Sequence, residues 1–342
     1  MSRLKHSDYE AYLRYMQMSQ ATLFAFVEGQ QDQAFYGRLC YASCTPARAS
    51  YQLATAGELP GGAVGKKGLL TFYDFLEARS ALCHALHGKT TVAAFFLDKD
   101  IDDYCGTCRS SPHAIYTEYY EVENYYFRHG DVILALALAA PLDVQVVRSG
   151  LPTPEAWRRT CAEAWRDWVK LCIFARAHAL NVPSNYGVRS RINHGADGPV
   201  DWNLHATYVQ RLQATSGMNN ADFHELMDQV SNWVDGLYAK NEYDRVFRGK
   251  WYASFLSEIT PSVAGSHPYN PNGLEERVLA AAAATLTPAG AWSRYLSRRI
   301  ATLVRMSTKR GAAYLILVSA VARLAEGLRT GASRFVKFLR RV

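Results

Sequence analysis

The sequence has no apolar run long enough to cross a bilayer: Ala312 to Ala322 is apolar for only eleven residues, against the ~20 that a spanning helix needs. A secretory leader is also missing from the expected pattern, because Met1 to Glu10 is polar and charged, and the first apolar run, from Ala21, is short and ends in an acid. The expected location is therefore cytoplasmic. Cysteine is sparse and odd in number, seven in 342 residues, which points to free thiols rather than a disulfide framework. Cys105-Gly-Thr-Cys108 has zinc-ligand spacing but lacks a second pair, with only His113, Cys83 and His84 to complete a site. The glycine- and lysine-rich Gly61 to Gly68 lacks the Walker A pattern, since the Gly-Lys at 65 and 66 is followed by lysine and position 60 is not glycine. No repeat of fixed period occurs, and acids are almost absent from the C-terminal segment. Residues 291–342 hold twelve Arg and Lys against one acid, Glu326; of the net +7, this segment carries +11 and the first 290 residues −4. The basicity is a property of the tail, so whole-chain pI says little about nucleic-acid affinity.

What is present is a core-forming chain, 49% hydrophobic, of a length that suggests two domains. In order, the periodicities predict a helix over Asp8 to Gln20, a strand over Ala21 to Val27 ending at Glu28, and a helix from Asp32 to about Tyr41. A strand over Ser50 to Ala54, a helix from Leu69 to about Leu86, a strand over Thr91 to Leu97 and a β-rich run over Ala114 to Phe127 follow. Strand alternating with helix predicts an α/β fold with a mostly parallel sheet flanked by helices. After Gly130 the pattern turns helical: Asp131 to Ala140, a long Trp-rich helix over Pro154 to Leu180, and most of 204–260. The expected domains are 1–130 (α/β, catalytic), 131–287 (helical) and 288–342 (a basic amphipathic extension). In that extension Phe335, Phe338, Leu339 and Val342 share one face, with Arg334, Lys337, Arg340 and Arg341 on the other. Such a helix binds a nucleic-acid backbone or an anionic membrane, and nucleic acid or a protein partner is the preferred reading.

The chemistry lies in the acids. Glu28 is expected at the carboxyl end of a strand, where open α/β sheets bind ligands. If Asp98 and Asp100 extend one strand and Glu121 and Glu123 another, period-2 alternation turns each pair to one side. An acid after a strand is in most proteins a solvated loop residue; four that converge need a cation. Clustered carboxylates suit Mg²⁺ or Mn²⁺, hard ions that bind through one or two carboxylates plus substrate phosphates, as in phosphoryl transfer.

Phe26-Val-Glu28-Gly29 with Asp32 and Phe35-Tyr36, an apolar strand closing on Asp98-Lys-Asp100, and Glu121-Val-Glu123-Asn124-Tyr125 together resemble the TOPRIM-related nucleases of the OLD type. More narrowly, the pattern is similar to the domain family that includes the toxin subunit of the PARIS anti-phage system. The resemblance covers roughly residues 8–256, counting Gly249-Lys250 and the apolar residues Trp251 to Leu256 after it; residues 257–342 match no pattern. It implies a TOPRIM-like catalytic domain and a Mg²⁺-dependent nuclease of bacterial immunity. In it Glu28 is the acid/base or metal-site residue, Asp98 and Asp100 are metal ligands, Glu123 is a supporting carboxylate and Lys250 contacts the scissile phosphate. It further implies tRNA cleavage and an ABC-type ATPase that holds the toxin inactive. DNA as substrate, and a degenerate site in a regulatory or scaffold subunit, stay open as alternatives. Lys66, Lys67, Arg189 and Arg191 are secondary candidates for nucleic-acid contact. A second copy of the chain is a further expected partner, and a membrane is not.

Overall fold

The computed structural model describes residues 8–86, 88–195 and 198–307. The amphipathic helix at 334–342 and the apolar run at 312–322 lie outside the described residues. In chain order the elements are α1 (Tyr9–Met18), β1 (Leu23–Val27), α2 (Gln30–Cys44), β2 (Tyr51–Thr55), α3 (Gly65–Ala78), β3 (Cys83–Leu86), β4 (Lys89–Leu97), α4 (Asp102–Cys105), β5 (Ala114–Tyr116) and α5 (Val122–His129). There follow α6 (Val132–Ala139), α7 (Val144–Gly150), α8 (Pro154–Ala164), α9 (Arg166–Ala177), α10 (Trp202–Ser216), α11 (Asn220–Ala239), α12 (Gly249–Ala264), α13 (Leu274–Thr285) and α14 (Arg294–Met306).

These elements form two compact units that interleave along the chain. Unit 1 takes the described residues up to Asp98, Cys108–Thr117 and those from Pro288 on; unit 2 takes Lys99–Thr107 and Glu118–Thr287. They are not the linear segments 1–130, 131–287 and 288–342 expected from composition, because the polypeptide passes between them four times.

Unit 1 is an α/β layer structure. β1 lies between β2 and β4, parallel to both, and β5 extends the parallel order along the far edge of β4. That edge is shared: β3 pairs antiparallel with Lys89–Val92, and β5 pairs with Phe95–Leu97. Every residue of β1 is buried, as a central parallel strand covered on both faces requires. Alternation sorts the side chains between the faces. Phe24, Phe26, Ala93, Phe95 and Leu97 share one core with Tyr12 and Met16 of α1 and Leu69, Phe72 and Leu76 of α3. On the other face Tyr36 of α2 stacks on Phe96 at 4.3 Å, and α14 packs on α2 and β4. The helix starts are built locally: Asp8 accepts the Ala11 N–H at 2.7 Å, and Asp32 accepts the Gly29 N–H at 2.8 Å.

Three expectations need correction. The helix predicted to run to Leu86 stops at Ala78, because Ser80 adopts a left-handed φ of 53° and Cys83–Leu86 pairs with β4 through a tight hairpin in which Gly88 has φ 77°. The β-rich run Ala114 to Phe127 is a strand only over Ala114–Tyr116; its aromatics from Tyr125 on belong to α5, which starts after Glu121. The long helix Pro154 to Leu180 is two helices, broken where Trp165 leaves helical geometry at φ −104°, ψ 17° and buries its ring against Trp251 and Phe255.

Unit 2 is helical, with α12 central among α5, α7, α8 and α13. Trp157, Trp165, Trp168 and Trp251 are all buried, so these tryptophans are packing residues. No helix among the described residues is long and apolar enough to cross a membrane.

Candidate functional site

The sequence-predicted residues fall into both units: Glu28 and Asp98 in unit 1, Asp100, Glu123 and Lys250 in unit 2. In unit 1, adjacent parallel strands β1 and β4 end side by side, Phe26 registering with Phe95. Glu28 follows β1 and Asp98 follows β4, and Glu28 Oε1 accepts the Asp98 backbone N–H at 2.9 Å. The strand ends thus bring these two acids together at the carboxyl edge of the sheet, and Gly29 immediately caps α2.

Asp100 does not continue the alternation of β4. The strand ends at Leu97, and Asp100 sits at φ 52°, its N–H bonded to the Tyr120 carbonyl at 2.8 Å. Its carboxylate meets Arg176 of α9 at 2.8 Å, and the same guanidinium donates to the Tyr120 hydroxyl at 3.1 Å. Left-handed backbone, tolerated by a short polar residue such as aspartate, replaces the extended chain that alternation needs.

Glu121 and Glu123 also belong to no strand. Glu121 is the N-cap of α5, with its N–H bonded to Asn124 Oδ1 at 3.1 Å, and Glu123 lies in the first turn. Both carboxylates are buried against the start of α12. Glu121 Oε1 accepts the Lys250 backbone N–H at 2.8 Å, one of the donors a helix start leaves unpaired, and its Oε2 faces Arg248 Nε at 3.3 Å. Lys250 Nζ pairs with Glu123 at 3.3 Å. Burial, reinforced by the charge of Glu123, pushes the Glu121 carboxyl up to about 7 despite Arg248 and Lys250. For Lys250, burial works against the ammonium, but Glu123 and Glu121 outweigh it and hold its pKa above the usual lysine value.

The Glu-Asn-Tyr triplet ties three segments together. Glu123 takes Lys250, Asn124 Nδ2 donates to the Phe247 carbonyl at 2.9 Å, and the Tyr125 hydroxyl accepts the Glu118 N–H at 2.8 Å. Behind it lies Asp244, fully buried, which accepts from Arg128 at 2.6 Å, Arg158 at 3.2 Å and the Tyr252 hydroxyl at 2.8 Å.

Among the described residues no group of three or more His, Cys, Asp or Glu is arranged to hold a metal ion. Asp100 faces Arg176 and Glu123 faces Lys250, each within unit 2. Glu28 and Asp98 fit the hard-ion preference: both supply oxygen, and Mg²⁺ takes one or two protein carboxylates, completing its shell with water and phosphate.

The secondary candidates are placed as follows. Lys66 and Lys67 occupy the first turn of α3, Lys66 Nζ lying 5.8 Å from the centre of the Tyr116 ring while Lys67 is exposed. Arg189 is ion-paired with Glu258 and Glu275, and Arg191 is exposed in the loop that follows α9. His113, once a zinc candidate, is buried with Nδ1 2.7 Å from the Ala93 carbonyl oxygen.

In the sequence pattern Glu121 stands out only as a neighbour of Glu123, and Arg176, Asp244 and Arg248 do not stand out at all. Arg248 stands directly before the Gly-Lys pair, and that adjacency is its one local signal. Arg176 and Asp244 find their partners far along the chain, and nothing in their own neighbourhood announces them. No family model and no curated protein matches the chain.

Proposed function

We propose that the chain is a Mg²⁺- or Mn²⁺-dependent nuclease with a TOPRIM-like catalytic sheet, an effector of anti-phage defence that acts on RNA such as tRNA. The observation that carries the reading is the Glu28–Asp98 hydrogen bond at the carboxyl ends of two adjacent parallel strands, the edge at which open α/β sheets bind ligands. Glu28 and Asp98 would hold the cation, which when bound supplies charge stabilisation at a phosphodiester and a more acidic water. The Asp98 N–H fixes one Glu28 oxygen, so the carboxylate is oriented before any substrate arrives. In unit 2, Glu123 and Glu121 keep the Lys250 ammonium charged; a role for it toward phosphate comes from the family resemblance. RNA as substrate, DNA as its alternative and an ABC-type ATPase as partner come from the family resemblance.

The test is cleavage of labelled tRNA and of duplex DNA by the purified chain with Mg²⁺ or Mn²⁺. Glu28→Gln and Asp98→Asn should each abolish cutting while circular dichroism stays unchanged. No cutting of either substrate, or undiminished cutting by Glu28→Gln, sinks the proposal.

A second reading, a catalytically degenerate regulatory or scaffold subunit, is favoured by the Arg176–Asp100 and Lys250–Glu123 ion pairs, which neutralise two of the four expected carboxylates. Under it, the Glu28→Gln chain behaves as wild type in cells.

A further inference from the structure

Helix α14 carries four arginines and no acid, and the chain holds no Asp or Glu from 288 to 325. The apolar side of α14 is consumed within unit 1: Leu296, Ile300, Leu303, Val304 and Met306 are buried. Arg299 turns inward with them, its Nη2 donating to the carbonyls of Ser111 at 2.9 Å and Ala114 at 3.1 Å. Arg294, Arg298 and Arg305 are exposed. At 100° per residue these three fall within about 40° of one line and span about 16 Å of helix. Arg305 also donates to Thr302 Oγ1 at 3.3 Å. At the start of the helix Trp292 stacks on Phe35 of α2, 5.5 Å between ring centres, which anchors the row to the helix that leaves Glu28.

We propose that Arg294, Arg298 and Arg305 form a docking row for a nucleic-acid backbone, separate from the carboxylates; it rests on the nuclease reading only for the identity of the polyanion. Guanidinium groups suit phosphate, which they bind in a bidentate fork. An anionic membrane is the poorer fit. A helix lying on a bilayer must sink an apolar face into it, and the apolar face of α14 is already spent on the sheet and α2. A phosphate backbone asks only for cations at the surface.

The experiment is binding of the full chain to a fluorescent single-stranded RNA of about 20 nucleotides, read by anisotropy in EDTA so that no cleavage occurs, across a salt series. Arg294→Gln/Arg298→Gln/Arg305→Gln should melt as wild type does. Three phosphate contacts at about 0.7 each lower the log–log salt slope by about 2, so between about 50 and 200 mM salt wild type should lose about 20-fold more affinity than the variant. A control of equal charge change, Arg148→Gln/Arg159→Gln/Arg211→Gln, uses three arginines exposed in unit 2 and should leave the slope unchanged. An unchanged slope in the row variant, or an equal loss in the control, overturns the proposal. So does loss of binding to phosphatidylserine vesicles with RNA binding intact. Cleavage is scored separately: row-dependent RNA binding without cutting by wild type keeps the docking row and removes the nuclease, and cutting with no row dependence does the reverse.

Discussion

Gly249 approaches Asn124 so closely that a β-carbon on it would lie 2.4 Å from the Asn124 nitrogen and 2.6 Å from the Glu123 carbonyl carbon. Both are backbone atoms, so no rotamer change relieves the clash. This contact lets the start of α12 meet the start of α5 and delivers the Lys250 N–H to Glu121. Gly249→Ala is expected to cost about 1–3 kcal/mol, in the range of overpacked interiors, measured as a lowered Tm. A variant as stable as wild type would show that the two helix starts are free to separate.

Glu28→Gln and Glu28→Ala should part company in stability but not in activity. Glutamine keeps an oxygen that accepts the Asp98 N–H; alanine removes that acceptor from a part-buried donor, at a cost of about 0.5–1.5 kcal/mol. Denaturant titrations should therefore separate the two variants, while neither cuts nucleic acid. Undiminished cutting by Glu28→Gln would assign the residue to structure alone.

Glu121 predicts a pH dependence with a definite sign. Its carboxyl rises from 4.5 unfolded to about 7 folded, chiefly through burial. Between those values the folded chain binds more protons than the unfolded one, so this contribution is full below about 4.5 and is lost as pH rises through 7, by at most about 1.4 kcal/mol per pH unit. His129 opposes it: burial, with Arg128 and Arg158, lowers it to about 4, and that contribution is lost as pH falls from 6.5 toward 4. The clean measurement is the difference between wild type and Glu121→Gln across pH 4.5–7.5, which should slope; a flat difference refutes the assignment.

Asp244→Ala should be the most damaging single change in unit 2. It removes the shared carboxylate of Arg128 and Arg158 and leaves the buried Arg158 without this partner. Breaking a buried ion pair by removing one member costs about 3–5 kcal/mol. A loss under 1 kcal/mol by urea unfolding would mean that water or another acid takes over.

Legibility from sequence tracked how local each cause was. β1, α2 and β4 were readable because apolar periodicity and the Gly29–Asp32 cap act within a few residues, and the meeting of Glu28 with Asp98 follows once β1 and β4 are neighbours. Asp100 and Glu121–Glu123 were misplaced because alternation was carried past the last strand residue. The deciding contacts, Arg176 on Asp100 and Lys250 on Glu121, come from segments distant in the chain. The Glu-Asn-Tyr triplet was visible as a motif, but its role as a knot of three segments needed coordinates. Interleaving was illegible for the same reason: α14 belongs with β4 through buried faces that no local pattern pairs.

That interleaving has a consequence for synthesis. α14 covers part of the sheet face that carries Phe96, yet it is translated only after the whole of Glu118–Thr287. A nascent chain that has released β1 to β5 still holds an unfinished hydrophobic layer. The α/β unit therefore completes itself late, and a chain interrupted within the helical segment is left with a sticky, half-covered sheet.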